Sequence, residues 1–512
     1  MANTKIVKAV TTVTVFSVFT RLLSFIFKIF LSRYVGAEVI GLYQISLSVF
    51  YLFASLSASG IPQVLSRKIA ENEAVDGGKR TDRLVSSSLF LGVLISLSTV
   101  GILFLIQDKL EVLFSDSRAV PLFIIMCPAL ISTTIYSIIR SWFWGKKEFT
   151  AYSITETIEE ILRIVFTALL VSGIFAGISE ETGIAIAFLV SDLVVVVVLF
   201  ILFFLKKGRL KGITSIKEIL LPSIPLTAMR VLNGLAGTLL AIVLPLRLVS
   251  SGMAASEATA AFGRITGMAN PLLFAPNALI SSVAIVLIPE IAASGVSGDC
   301  RSLNSHVQQG IKFSLLVSGI FVAVYLALGD RLTMLLYNDY ESGAYLRFAA
   351  ISMLPMAINQ LLASSVNSIG MEKQSFVNFV LSSVVSGTLI IVLPPYLGIY
   401  SVVVATLSSL LVSIVTTFIV LHKRTGLTAD FVKTCVLVLL FIAPSAFFAY
   451  SLDGLLSRVI GIFSVVFSAA AGALFYILLL EVCGQVNIHG FAINAIRKKF
   501  SRKRLTKKQA KC

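Results

Sequence analysis

Apolar runs of about 20 residues or more follow one another along almost the whole chain, parted by short polar turns. Fourteen such runs lie near 9–32, 40–66, 84–106, 119–143, 151–176, 183–205, 219–246, 258–289, 305–328, 343–368, 375–394, 399–421, 432–451 and 459–482. At about 1.5 Å per residue, each is long enough to cross a hydrocarbon core of about 30 Å as a helix. The pattern predicts an all-α polytopic membrane protein with about fourteen transmembrane helices. The runs over 219–246 and 258–289 carry Pro222, Pro225, Pro271 and Pro276, so bent or partly unwound helices are expected there.

Polar residues inside these runs recur at helical spacing. In the first span Thr14, Ser17, Arg21, Ser24 and Lys28 step by 3, 4, 3 and 4, which places them on one face. If that helix enters the bilayer near Ala9, Arg21 lies roughly 18 Å deep and Lys28 can snorkel to the far surface. A midplane arginine costs at least ~2.5–3.5 kcal/mol unless it meets water or a partner. Two readings stand: a wall of a cationic, water-filled cavity, and an arginine paired with a carboxylate for packing alone. The second span carries Gln44, Ser48, Tyr51, Ser55 and Ser59 on one stripe, either facing a cavity or permitting close helix packing.

Further spans carry ionisable groups. Glu156, Glu159, Glu160 and Arg163 sit at i, i+3, i+4 and i+7 of the fifth. Glu159 and Arg163 form a natural pair one turn apart. The excess negative charge is open to Arg21 or Arg230, to protonation or to a bound cation, so this group and Asp192 of the sixth span are candidates for ion pairing or for H⁺ or Na⁺ coupling. Asp192 has no partner legible in the sequence. Arg230 of the seventh span lies at mid-depth with Asn233 nearby. Arg264 of the eighth points away from the stripe Thr266, Asn270, Asn277 and Ser281 in a straight helix, and only a bend at Gly267 or Pro271 joins them. Arg140, Lys312 and Arg347 lie near span ends and are read as snorkelling.

The 512 residues are 57% hydrophobic and 13% charged, with a net charge of +16. The placement of that charge matters more than its size. With the N-terminus inside, 28 of the 42 Lys and Arg fall on inside segments and 6 on outside ones, which predicts both termini in the cytoplasm. The run at the C-terminal end, IRKKFSRKRLTKKQAK, is expected to lie against anionic phospholipids or to serve as a topological anchor. Nucleic acid is not implied. Five scattered cysteines and three histidines show no metal or nucleophile spacing, and no phosphate-binding G-x-x-x-x-G-K-[ST] loop occurs. No cofactor is expected, no soluble domain is large enough for an enzyme, and the first span is too long and charged for a cleavable signal.

A faint repeat relates 141–164 to 364–387, and 59–71 to 283–294. Its spacing of six spans predicts two six-helix lobes in parallel pseudo-repeat around a central cavity, with two C-terminal helices added. The expected domains are 1–210 (spans one to six), 211–424 (spans seven to twelve), 425–484 (spans thirteen and fourteen) and 485–512 (a basic tail).

The stretches FTRLLSFIFKIFLSRYVGAEVIGLYQ (19–44), SGIPQVLSRKIAE (59–71), ETIEEILRI (156–164), GRITGMANPLLFAPN (263–277) and VLIPEIA (286–292) resemble the multidrug/oligosaccharidyl-lipid/polysaccharide (MOP) exporter superfamily. Within it the chain is most similar to the stage V sporulation protein B group and the MurJ-like lipid II flippases. The resemblance implies flipping of a polyprenyl-pyrophosphate-linked glycan or peptidoglycan precursor across the cytoplasmic membrane by alternating access, in polysaccharide, cell-wall or sporulation biosynthesis. It implies a lipid-facing groove at spans thirteen and fourteen. Arg21 and Arg264 match functionally important cations of that group. A second-span arginine of the pattern is absent, and another first-span arginine aligns near Phe27, beside Lys28. The expected substrate contacts are Arg21, Lys28, Arg230, Arg264, Gln44, Ser48 and Asn270, and the chain is read as a monomer. The alternatives are a multidrug-type organic-cation antiporter, which predicts an acid-dominated cavity, and a non-transporting scaffold, which predicts charges that all pair off.

Overall fold

The computed structural model describes residues 2–58, 60–76, 78–172, 177–213 and 216–484. Ser59 of the second-span stripe, the side chain of Thr14 and the basic tail 485–512 lie outside the described residues. Every regular element described is helical. In chain order these are α1 (Ala2–Ala58), α2 (Ile61–Asp76), α3 (Thr81–Leu105), α4 (Ala119–Met126), α5 (Ala129–Gly145), α6 (Phe149–Val171), α7 (Glu180–Leu205), α8 (Lys217–Ser250), α9 (Ala255–Gly263) and α10 (Asn270–Phe274). They continue as α11 (Asn277–Ser297), α12 (Cys300–Tyr337), α13 (Glu341–Ala349), α14 (Met353–Ser368), α15 (Glu372–Val392), α16 (Pro394–Leu397), α17 (Ser401–Thr425), α18 (Phe431–Ile460) and α19 (Ser464–Val482).

Each of the expected spans falls on helix, but the breaks are local. The first two spans run together in α1, parted only at Gly36. Its φ of 76° is open to glycine without a Cβ penalty. The second span ends at Ala58 rather than near residue 66, and α2 starts afresh just before Pro62, whose ring suits a first turn. The fourth span is bent by 46° between α4 and α5, where Pro128 has no N–H to give the ladder. The seventh span, by contrast, stays one 34-residue helix through Pro222, Pro225 and Pro245. The irregularity of this region is in the eighth span, where Arg264–Ala269 forms a π turn between α9 and α10.

The chain forms two compact units. The first takes in Met1–Pro271, Leu336–Asn338 and Ser383–Ala405. One base of it is an apolar cluster in which Trp142 meets Phe143 and Phe203 edge-on at 4.9 and 4.8 Å, with Leu65, Ile69 and Ile139 fully buried around them. Lipid is as apolar as leucine, so such packing holds helices by contact and hydrogen bonds more than by water exclusion. The polar links are accordingly specific. Thr20 and Thr157 meet at 3.2 Å and tie α1 to α6. Thr238 donates to the Ser48 carbonyl at 2.9 Å and ties α8 to α1. Gly41 and Gly263 let α1 and α9 cross with almost no gap, because a Cβ on either would run into a backbone carbonyl oxygen, of Thr259 and of Ala37.

A charged clasp closes the same unit in the turn before α4. Asp116 accepts from Arg118 Nε at 3.0 Å and Nη2 at 2.7 Å, from the Arg118 amide at 3.0 Å, and from Thr259 Oγ1 at 2.9 Å. Arg118 Nη1 also reaches Glu38 at 2.6 Å. Burial alone would raise the Asp116 carboxyl, but the Arg118 and Thr259 hydrogen bonds outweigh it and hold it below the usual carboxylate range. A depressed folded-state value means that the clasp stabilises fully above the ordinary aspartate value of about 3.9, and that this is lost as pH falls through the depressed one. Asp116→Asn is therefore expected to cost about 1–2 kcal/mol at pH 7. Thermal unfolding in detergent should show its gap from the unmodified protein closing as the pH is taken below about 4.

The second unit takes in Leu272–Leu335, Asp339–Ser382 and Thr406–Cys512. Its internal links are mostly neutral: Gln360 donates to Ser281 at 2.8 Å, Ser413 to Asn359 at 2.7 Å and Asn378 to Thr417 at 2.9 Å. Asp453, only 2% exposed, accepts from Ser464 at 2.5 Å and pairs with Arg331 at 2.9 Å. Phe467, Leu474 and Leu478 of α19 stand exposed, as residues facing lipid do.

Candidate functional site

The charged side chains with candidate chemistry gather in the first unit. On α6, Arg163 Nη2 donates to Glu159 at 2.7 Å and Nη1 to Glu160 at 3.4 Å, with all three side chains less than a fifth exposed. The Arg163 guanidinium also lies 5.1 Å from the Phe188 ring centre. Glu156, one turn earlier, takes a different partner: Arg140 of α5 donates to it at 3.3 Å. Asp192 of α7 accepts from two hydroxyls, Ser132 at 2.6 Å and Thr133 at 3.0 Å.

These groups line a hollow of about 410 Å³ together with Ser17, Thr20, Arg21 and Ser24 of α1. Its wall carries three guanidinium groups (Arg21, Arg140, Arg163) and four carboxylates (Glu156, Glu159, Glu160, Asp192). Arg21 forms no ion pair among the described residues, although it lies in the field of Glu156. Lys28 is half-buried, stands off the hollow's wall and feels Glu160. Tyr51 reaches the hollow, whereas Gln44 and Ser48 do not line it. Ser48 donates back to the Gln44 carbonyl at 2.8 Å. No group of three or more His, Cys, Asp or Glu placed to hold a metal ion occurs among the described residues.

A second hollow of about 530 Å³ opens between α2, α5 and α8. Arg67, Arg140 and Arg230 line it with Gln63, Ser66, Ser137 and Trp144, and no carboxylate is on its wall among the described residues. Arg230 is exposed and forms no ion pair among the described residues. Asn233 turns back to its own helix, donating to the Met229 carbonyl at 2.9 Å. Arg140 and Ser137 are shared by both walls.

Arg264 and Asn270 line neither hollow. They stand at the two ends of the π turn, where the Asn270 amide bonds back five residues to the Ile265 carbonyl. One more residue per turn re-phases the helix across Gly267. Thr266 caps its own ladder, donating to the Phe262 carbonyl at 2.8 Å.

Depth from a span end points Arg140 to the membrane surface and its place between two spans makes Arg67 an inside charge, yet both stand on these walls. The available signal for Arg140 is the stripe Thr133, Ser137, Arg140 and Trp144, which steps by 4, 3 and 4 along one face.

A family model described as polysaccharide biosynthesis protein matches residues 6–294. The chain is 26% identical over 407 residues to stage V sporulation protein B of Bacillus subtilis (strain 168), covering 76% of this chain and 78% of that protein. It is 23% identical over 480 residues to the lipid II flippase MurJ of the same strain, covering 86% and 87%. Among solved structures, a lipid II flippase MurJ in an inward closed conformation matches with a TM-score of 0.71 at 16% identity, over 92% of this chain and 98% of that one. An inward-facing MATE-family multidrug resistance transporter of the MOP superfamily matches with a TM-score of 0.68 at 16% identity, over 80% and 96%. At that identity the structural matches speak for the fold alone, that of a multi-pass membrane protein. The chain belongs to the polysaccharide biosynthesis protein family.

Proposed function

We propose that this protein is a flippase that carries a polyprenyl-pyrophosphate-linked glycan or peptidoglycan precursor across the cytoplasmic membrane by alternating access. The observation that carries this reading is the hollow walled by Arg67, Arg140 and Arg230 without a carboxylate among the described residues. Guanidinium forks suit the bidentate oxygens of a diphosphate, and an acid-free wall repels organic cations. With both termini in the cytoplasm, α2 and the Lys146–Lys147 turn lie on the side where such a headgroup is made. The described relative that is itself a lipid II flippase fits the same substrate class. In this reading Arg21, Lys28, Arg264, Gln44, Ser48 and Asn270 serve the headgroup along its path, and the basic tail 485–512 rests on anionic phospholipids. Moving one negative charge outward gains about 2.3 kcal/mol per 100 mV of inside-negative potential, so voltage can drive the cycle without ATP.

A second reading, organic-cation antiport, is favoured by one observation: the four carboxylates against three arginines of the first hollow. Reconstitution separates the two. Proteoliposomes holding the purified chain should move lipid II headgroups and leave ethidium gradients untouched; the reverse outcome selects the antiporter. In the same assay Arg21→Ala is expected to slow headgroup movement about tenfold or more, since an unpaired midplane cation is worth keeping only where it meets an anion. An unchanged rate removes Arg21 from the path.

A further inference from the structure

Arg140 faces two ways. On the first hollow it donates to Glu156 at 3.3 Å, with both side chains 32% exposed. On the second it stands with Arg67 and Arg230. The Glu156 contact is longer than the ~2.7–2.9 Å usual for a charge-assisted pair. It is also longer than the 2.7 Å from Arg163 to Glu159 in the same unit. The guanidinium carbon lies 4.2 Å from the Tyr152 ring centre, a cation–π contact that holds the group and leaves its N–H fork to choose a partner. Among the described residues, Arg67 is held by an exposed contact of 3.6 Å to Glu71, one turn on. Such a pair is weak and readily exchanged.

We propose that Arg67, Arg140 and Arg230 form a diphosphate-binding subsite, and that Glu156 is its built-in stand-in, surrendering Arg140 when phosphate oxygens arrive. The proposal rests on the anionic-headgroup reading above. Three guanidinium groups around one hollow repel one another, and an internal carboxylate relieves one of them. The same carboxylate competes with the ligand, so the headgroup is bound loosely enough to be released, as a transport cycle requires. Glu156 is then a positioning residue, and its removal should strengthen binding instead of weakening it.

The test is calorimetric titration of inorganic pyrophosphate into the purified full-length chain in detergent. Glu156→Gln is expected to tighten binding roughly 2- to 5-fold, the scale of a lost competitor in a half-exposed pair. Arg67→Ala and Arg140→Lys are expected to weaken it about 3- to 10-fold, the latter because an ammonium lacks the fork. In the Arg140→Lys background the gain from Glu156→Gln should shrink or vanish. Glu156→Ser provides a second variant with the same expected direction should the glutamine form fold poorly. Weaker or unchanged binding in both Glu156 variants, or a full gain in the Arg140→Lys background, overturns the proposal. The two readings fail separately. Pyrophosphate binding with this pattern but no movement of lipid-linked glycans leaves the subsite and removes the flippase. Glycan movement with pyrophosphate affinity indifferent to these residues removes the subsite alone.

Discussion

Arg230→Ala is expected to lower the initial rate of lipid II headgroup movement in proteoliposomes by ~30- to 1000-fold at substrate below saturation, while the protein unfolds no more easily than before. Arg230 is thirteen residues into α8, roughly 20 Å along the helix axis. It has no ion-pair partner among the described residues and stands on the acid-free wall. A charge so placed weakens the fold unless water or a ligand compensates it. Removing it therefore takes nothing from stability. What it removes is a charge-assisted contact to the passing headgroup, worth about 2–4 kcal/mol, which sets the fold-change. Arg230→Lys should recover part of the rate, because the charge returns without the bidentate fork. A normal rate in the alanine variant would place the diphosphate elsewhere.

Gly41→Ala is expected to cost about 3 kcal/mol or more, seen as a fall in detergent melting temperature and in folded yield, with no change in any charged wall. A methyl at this position runs into the Thr259 carbonyl of α9, and backbone cannot step aside as a side chain can. Gly263→Ala should do the same from the other helix, against Ala37. Gly237→Ala is the control: it lies within α8 and an added Cβ there meets nothing within 4 Å. There the substitution should be neutral or stabilising by about 0.4–1 kcal/mol. Equal behaviour of the three variants would mean that the α1–α9 crossing is looser than its geometry.

The fourteen spans were legible because hydropathy over about 20 residues is a long-range average that survives local irregularity. The irregularities were less so. A proline pair signalled trouble in α8, yet that helix is unbroken and the π turn falls nearby at Arg264–Ala269. Proline marks a missing donor, and neighbouring groups decide whether the backbone bends. In the candidate site, Arg163 and Glu159 share one helix, so spacing alone brings them within reach. Asp192 and its hydroxyl partners Ser132 and Thr133 sit on different helices, and no local pattern pairs them. Arg140 was obscured for a related reason. Depth from a span end says how far a cation lies from water, but not that a ring such as Tyr152 holds it in place between two walls.

The π turn of the eighth span lies at Arg264–Ala269. Such a turn stores a surplus residue that an ordinary helix has no room for, and the surplus can migrate. Were it to pass beyond Asn270, that residue would swing about 100° around the axis and slide about 1.5 Å along it, while Arg264 stayed in place. A ratchet of this kind would re-aim an asparagine relative to a fixed arginine six positions earlier, with no helix melting.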